Sequence, residues 1–76
     1  MSEEITYGQR AVGLSFNPSN DPKVQEAKEL CAKLIDLVVN SIVGDQSAFK
    51  ADLNRRAVQD VVAAQMMAVK VLTWKE

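Results

Sequence analysis

The chain has 76 residues, of which 47% are hydrophobic, and it carries a formal net charge of −1 with no histidine. This length allows one domain with a small core, and the near-neutral charge argues against a protein that binds long nucleic acid. With Cys31 as its one cysteine and no histidine, the sequence predicts no disulfide framework, no metal site and no cofactor.

The N-terminal sequence and the apolar runs are not expected to act as a signal peptide or a membrane span. The first ten residues, MSEEITYGQR, lack the basic and apolar regions of a signal peptide. No apolar run reaches the ~20 residues that span a bilayer. We therefore expect a protein that does not enter a membrane and that works in a reducing, cytosolic compartment.

Residues 1–21 are expected to form an irregular or extended N-terminal arm. They contain Gly8, Gly13 and Pro18 together with the turn-forming sequence NPSND. No helical period is sustained across them. From Asp21 onward, the apolar residues begin to recur at helical spacing.

A first long helix is predicted over residues 22–43. Asp21 is a good N-cap, and Pro22 suits the first helical position, where its missing N–H is harmless. Gly44 is a natural stop after the helix. The apolar residues of this segment recur at spacings of three and four, which indicates a helix with one buried face; they are Val24, Ala27, Cys31, Leu34, Ile35, Val38 and Ile42.

A second long helix is predicted over residues 46–74, which contain no glycine or proline. The connector GDQS is short, and Asp45 is expected to cap the second helix. A connector of this length makes the two helices antiparallel neighbours. The sequence therefore predicts an all-α fold over residues 1–76, in which an N-terminal extended arm precedes a long antiparallel two-helix hairpin.

The two predicted helices carry more apolar surface than they can bury against each other. In residues 61–74, VVAAQMMAVKVLTW, the polar positions are Gln65, Lys70 and Thr73. The first helix adds a second apolar row, formed by Leu30, Leu37, Val39 and Val43. Such surfaces are usually covered in a folded protein, which predicts a homo-oligomer. The alternative is that the arm folds back and covers them within one chain.

Catalysis is not expected from this composition. No histidine is present to act as a general base near neutral pH. Cys31 falls on the apolar face of the first helix, where a buried and unreactive thiol is usual. The carboxylates Glu26, Glu29 and Asp36 have the spacing of a solvated helix face. We therefore predict that the protein is not an enzyme.

The residues around the start of the first helix form the candidate binding site. Phe16 and Asn17 precede the helix, and Lys28 lies in its second turn. An aromatic ring here can stack on a nucleobase while a lysine neutralises a phosphate. Equally, Phe16 can be a packing residue at the helix start, and Lys28 can belong to a solvated face with weak ion pairs. Both interpretations stay open.

Two arginines near the start of the second helix are weaker candidates for phosphate binding than Lys28. Arg55 and Arg56 lie 100° apart on a helix, so only one of them can face a given pocket. The planar guanidinium group suits phosphate, but most surface arginines bind nothing specific.

The ordered segments YGQRAVGLSFNPSNDPKVQEAK, LIDLV, NRRAV and AQMMAVKVLTW resemble a family of small phage-encoded hairpin proteins. That family includes anti-CBASS and anti-Thoeris signal sponges. The segments that carry the resemblance are Phe16-Asn17-Pro18-Ser19, Ala27-Lys28 and Arg55 through Trp74. They cover most of the chain, and much of the match is a helical apolar pattern.

The resemblance implies a protein that binds bacterial immune messengers without changing them. Its ligands would be cyclic di- or trinucleotides or cyclic ADP-ribose isomers, bound by a homo-oligomer, for which a hexamer is favoured, in the cytoplasm of the infected host. By that likeness Phe16 would stack on a base, with Asn17 beside it, and Lys28 would meet the phosphates. Arg55 would belong to a second pocket at a subunit junction.

Two functions of other classes remain alternatives. One is a protein–protein adaptor or antitoxin whose apolar second helix docks a partner protein. The other is an assembly component of a phage particle that binds no small molecule.

Overall fold

The computed structural model describes residues 4–18 and 20–75 of the chain. Within these ranges the fold has three helices and no strand: α1 (Tyr7–Ala11), α2 (Pro22–Ser41) and α3 (Ala48–Thr73). The prediction of an all-helical fold is confirmed for them. Parts of two predictions, the start of the arm at residues 1–3 and Ser19 of the resemblance segment, lie outside the described residues.

The N-terminal arm differs from the prediction, because Tyr7–Ala11 is a short helix and not an irregular or extended segment. The Thr6 hydroxyl accepts a hydrogen bond from the Gln9 backbone N–H at 3.1 Å, and Gln9 Oε1 accepts one from the Thr6 N–H at 3.0 Å. This reciprocal pair is a capping box. Its sequence signal, T-x-x-Q, is present, but Gly8 in the first turn is a poor helix former and obscures it.

Gly8 is the residue through which α1 packs on α2. Its backbone N–H donates a hydrogen bond of 2.7 Å to Asp36 Oδ1. A methyl group at this position would collide with the backbone carbonyl of Ala32 and lie 2.8 Å from Asp36 Oδ1. The glycine is therefore needed for close approach of two backbones.

The start of α2 agrees with the prediction. The Asp21 carboxylate accepts a hydrogen bond of 2.8 Å from the backbone N–H of Lys23, and Pro22 occupies the first helical position. The side chain thus satisfies one of the N–H groups that every helix start leaves unpaired. The loop residue Asn20 has a positive φ of 56°, which asparagine tolerates better than most residues.

The end of α2 comes at Ser41, two residues before the predicted position 43. The N–H groups of Ile42 and Val43 bond to carbonyls three residues earlier, each at 3.3 Å, so the last turn tightens and then leaves the helix. Gly44 follows with a φ of +84°, a conformation that favours glycine. The predicted stop at this glycine is thus present, after a non-helical turn.

The start of α3 corrects a second prediction. Ser47, not Asp45, is the N-cap, and its hydroxyl accepts a hydrogen bond of 3.2 Å from the Lys50 N–H. Asp45 supports the connector instead, because its carboxylate accepts a hydrogen bond of 2.8 Å from the Ser47 N–H and lies 3.6 Å from Lys50 Nζ. The helix therefore begins at position 48 rather than 46. It ends one residue before Trp74, whose backbone is extended.

Ser47→Ala is expected to lower the free energy of unfolding by about 1 kcal/mol, because α3 loses its N-cap acceptor. Urea unfolding followed by circular dichroism measures this. Ser47→Asp is the matched control, since aspartate also caps, and it should stay close to the wild type. Equal stability of Ser47→Ala and the wild type would show that the cap is unimportant.

The core is small and lies where α1 and α3 meet α2. Val12, Ala32 and Ile35 are its buried centre. Partly buried side chains pack around this centre; they are Ala11, Leu14, Cys31, Val39, Val58, Val61 and Val62.

The buried face of α2 contains most of the predicted residues, with Val24 and Ile35 fully inside, but it is broader than predicted and omits one of them. Leu34, expected inside, is 47% exposed, whereas Ala32 and Lys28 are buried. The cause is α1, which packs against the side of α2 that contains Ala32 and Asp36 and so adds a second contact face to the helix. The apolar stripe read from the sequence of α2 predicts one packing partner, whereas the helix packs against both α1 and α3.

Large apolar surfaces stay uncovered in the single chain. On α2, Leu30, Leu34 and Leu37 are 47–69% exposed, although the arm packs on the same helix. On α3 the exposed apolar residues include Phe49, Leu53, Met67 and Val71. Within the described residues no helix has both the length and the hydropathy required to cross a membrane.

Candidate functional site

A cleft of about 340 Å³ lies between the loop before α2, the start of α2 and the end of α3. This volume is at the small end of the range of ligand pockets, ~300–1,000 Å³. The cleft is lined mostly by apolar side chains, with a few polar groups among them; the lining residues are Phe16, Pro18, Val24, Lys28, Gln65, Met66, Val69 and Thr73. Two predicted ligand-binding residues, Phe16 and Lys28, therefore share one cleft.

Lys28 is buried, with only 6% of its surface exposed, which neither interpretation of the sequence anticipates. Its ammonium group donates one hydrogen bond to the Gly13 carbonyl at 3.1 Å and another to the Phe16 carbonyl. Those bonds hold the loop against α2. An ammonium has three N–H donors, so one remains for an acceptor in the cleft.

Phe16 presents its ring to the cleft and to solvent. Its side chain is 71% exposed, so it does not act as a packing residue at the helix start within one chain. The Lys28 Nζ lies 5.6 Å from the centroid of the ring, in cation–π distance. The cleft thus places an available aromatic face beside a fixed positive charge.

Gln65 is the polar residue that the sequence prediction missed. It is 95% buried (5% exposed) and lines the cleft from α3. Among the hydrogen bonds of the described residues, none involves its side-chain amide, whereas the nearby Thr73 hydroxyl donates to the Val69 carbonyl at 2.8 Å. The sequence feature that could have identified Gln65 as a site residue is its position as a lone glutamine inside the apolar run VVAAQMMAVKVL.

The other two predicted site residues do not line this cleft. The Asn17 amide donates hydrogen bonds to the Asp21 carbonyl at 3.3 Å and to Gln25 Oε1 at 3.4 Å, so it organises the loop. Arg55 is exposed and forms an ion pair with Asp52. It lies ten residues before Gln65 on α3, or ~15 Å along the helix axis. Its proposed place at a subunit junction stays a prediction.

Two other clefts are larger, about 380 Å³ at the end of α3 and about 530 Å³ beside the N-terminal arm, but neither is lined by a predicted site residue. Asn54 Oδ1 is a buried acceptor without a hydrogen-bond partner among the described residues. The cleft beside it measures about 170 Å³, roughly half of the smallest usual ligand pocket. In the part of the chain that the structure describes, no group of three or more His, Cys, Asp or Glu side chains could hold a metal ion.

Comparison with known proteins adds no assignment. No protein-family model matches the chain, and no curated protein or solved structure matches it. The function is therefore inferred from the residues of the cleft.

Proposed function

We propose that the protein binds and sequesters a cyclic nucleotide messenger in the cleft of Phe16, Lys28 and Gln65, without cleaving it. The observation that carries the proposal is the Gln65 amide. Gln65 is buried as a residue, but its amide is not among the fully buried atoms without a partner in the described residues, so the amide reaches the open side of the cleft. An amide that makes no hydrogen bond within the described residues, beside an exposed ring and a fixed charge, can pair with a ligand that enters the cleft.

The three side chains match three parts of such a ligand. The Phe16 ring offers a face for base stacking, which contributes ~1–3 kcal/mol per base. The remaining N–H of Lys28 offers a charge-assisted hydrogen bond to a phosphate oxygen. The Gln65 amide can donate to and accept from a base edge, which both purine and pyrimidine edges allow. The phenyl ring and the amide are neither nucleophiles nor general bases, and the Lys28 ammonium acts as a hydrogen-bond donor to two carbonyls, so we expect the ligand to leave unchanged.

The ligand and the uncovered surfaces together favour an assembly. In this proposal α2 and α3 form an antiparallel hairpin, and several hairpins form a homo-oligomer, with a hexamer as the favoured state. A cyclic dinucleotide carries two bases and two phosphates, and a two-fold axis between protomers would supply each side chain twice. The setting would be the cytoplasm of a bacterium infected by the phage that encodes the protein, where the captured messenger cannot activate its defence effector.

Isothermal titration calorimetry with cyclic dinucleotides, cyclic trinucleotides and cyclic ADP-ribose isomers tests the proposal. We expect saturable binding of at least one ligand by the wild type. Gln65→Leu has a similar shape without the amide, and we expect it to weaken binding by about tenfold, the equivalent of ~1.4 kcal/mol. Its melting temperature should stay close to that of the wild type, because the amide makes no hydrogen bond within the described residues that the substitution could remove.

Two results would contradict the proposal. One is an absence of heat with every ligand of the panel, which would favour the adaptor, antitoxin or phage-assembly alternatives. The exposed apolar rows of α2 and α3 are what support those alternatives. The other is unchanged affinity in Gln65→Leu, which would place the ligand outside this cleft.

A further inference from the structure

One side of α3 forms a continuous exposed stripe, which we call the outer stripe. Its members recur at spacings of three and four and all are exposed. The apolar members are Phe49, Leu53, Ala64, Met67 and Val71. At the centre of the outer stripe lie two charged residues of opposite sign, Arg56 and Asp60.

Among the described residues, Arg56 and Asp60 form no ion pair. The ion pairs of the described residues join Lys50 to Asp45 and Arg55 to Asp52. Arg56 precedes Asp60 by four residues, and an acidic residue placed after its basic partner is the weaker order for pairing within a helix. Both charges are thus available to a neighbouring molecule.

We infer that the outer stripe is a self-association surface, on which α3 of a second copy packs antiparallel about a two-fold axis. Such an axis is isologous, so if Arg56 of one copy meets Asp60 of the other, the reverse contact forms as well. A parallel pairing in register would put Arg56 beside Arg56 and Asp60 beside Asp60, which like-charge repulsion opposes. Charge complementarity therefore selects the antiparallel orientation.

The same register also places four of the five apolar members opposite one another, while Val71 lies beyond the overlap. If position 56 faces position 60, then Phe49 faces Met67, and Leu53 faces the surface at Ala64. A large side chain thus meets a flexible or a small one at each level, which favours interdigitated packing. The two helices overlap from residue 48 to residue 68, which is about 31 Å at 1.5 Å per residue.

This inference deepens the homo-oligomer part of the proposed function and depends on it. The cleft is a separate surface of the molecule, since none of the five apolar members of the outer stripe lines it. The mass of the protein without ligand tests the stripe, and ligand titration tests the cleft. The two proposals can therefore fail separately.

The test is a charge exchange read by light scattering coupled to size-exclusion chromatography. Arg56→Asp places two carboxylates together at each contact, and Asp60→Arg places two guanidinium groups together. We expect each single variant to weaken self-association by roughly tenfold or more, seen as a lower mass at the same concentration. The double variant with both substitutions exchanges the charges, restores opposite signs, and should recover the wild-type mass.

Lys23→Asp is the matched control for Arg56→Asp, because it makes the same change in net charge at an exposed position away from α3. It should keep the wild-type mass. Circular dichroism checks that every variant stays helical. A wild type that is monomeric, single variants that keep the full mass, or a double variant that does not recover would each overturn the inference.

Disulfide cross-linking tests the orientation in a background with Cys31→Ala. Chains with Leu53→Cys and chains with Ala64→Cys should cross-link when they are mixed, and neither should cross-link efficiently alone. Cross-linking of each variant with itself alone would indicate parallel helices and would contradict the antiparallel arrangement.

Discussion

Gly8→Ala is expected to lower the free energy of unfolding by about 2–3 kcal/mol. The added methyl group would collide with the Ala32 backbone carbonyl, which α2 holds in place. Forcing extra volume into a packed contact costs ~1–3 kcal/mol. Separation of the two helices would also break the hydrogen bond between the Gly8 N–H and the Asp36 carboxylate, and bonds to charged groups contribute ~1.5–3 kcal/mol.

Urea unfolding followed by circular dichroism measures this effect, and Gly44→Ala is the control. Gly44 has a positive φ, but a methyl group added there would meet nothing within 4 Å, so its replacement costs only backbone strain, ~1–2 kcal/mol. Alanine is by itself the better helix former by up to ~1 kcal/mol. If Gly8→Ala stabilises the protein by that amount, α1 does not pack closely on α2.

Phe16→Ala is expected to weaken ligand binding by about 5- to 150-fold while the fold keeps its stability. The range is the equivalent of ~1–3 kcal/mol for a lost base stack. Stability should change little because the side chain is 71% exposed. Calorimetric titration gives the affinity, and thermal unfolding without ligand gives the stability.

Phe16→Tyr is the matched variant, since it keeps the ring and should bind within a few-fold of the wild type. Lys28 is a less direct probe, because its replacement removes two hydrogen bonds that hold the loop. Equal affinity of Phe16→Ala and the wild type would mean that the ring does not stack on the ligand.

The features that the sequence predicts best are those set by local chemistry. The Asp21 cap, Pro22 at the first helical position and Gly44 after α2 all depend on backbone preferences of single residues. Helix α3 is apolar and free of breakers over its whole length, so its existence could also be predicted. Competition between neighbouring caps, as at Asp45 and Ser47, decides the boundaries and is harder to foresee.

The features that the sequence does not predict depend on tertiary contacts. Gly8 has a low helix propensity, yet its missing side chain is what lets α1 approach α2. In the sequence, Lys28 resembles a surface residue. In the structure it is buried, because the loop carbonyls of Gly13 and Phe16 accept hydrogen bonds from its ammonium group. Long-range packing of this kind leaves no periodic signal.

In the candidate site, too, residues near one another in the sequence are easier to predict than residues brought in by tertiary contacts. Phe16 and Lys28 are predicted as a pair and line one cleft, although ligand binding by them stays a prediction. Asn17 is predicted from its neighbourhood, and its amide donates hydrogen bonds within the loop, while ligand binding by it stays a prediction. Gln65 comes from α3, and its place in the cleft depends on how α3 packs against α2, which spacing along one helix does not reveal.

A capture and recovery assay tests sequestration most directly. A cyclic dinucleotide, cyclic trinucleotide or cyclic ADP-ribose isomer that binds in the titration is mixed with excess protein, the free ligand is measured after filtration, and the protein is then heat-denatured. We expect the free concentration to fall in proportion to the added protein and the released ligand to return in full with its original mass and retention time. Free ligand that does not fall, or a linear or shortened product after release, would contradict the account.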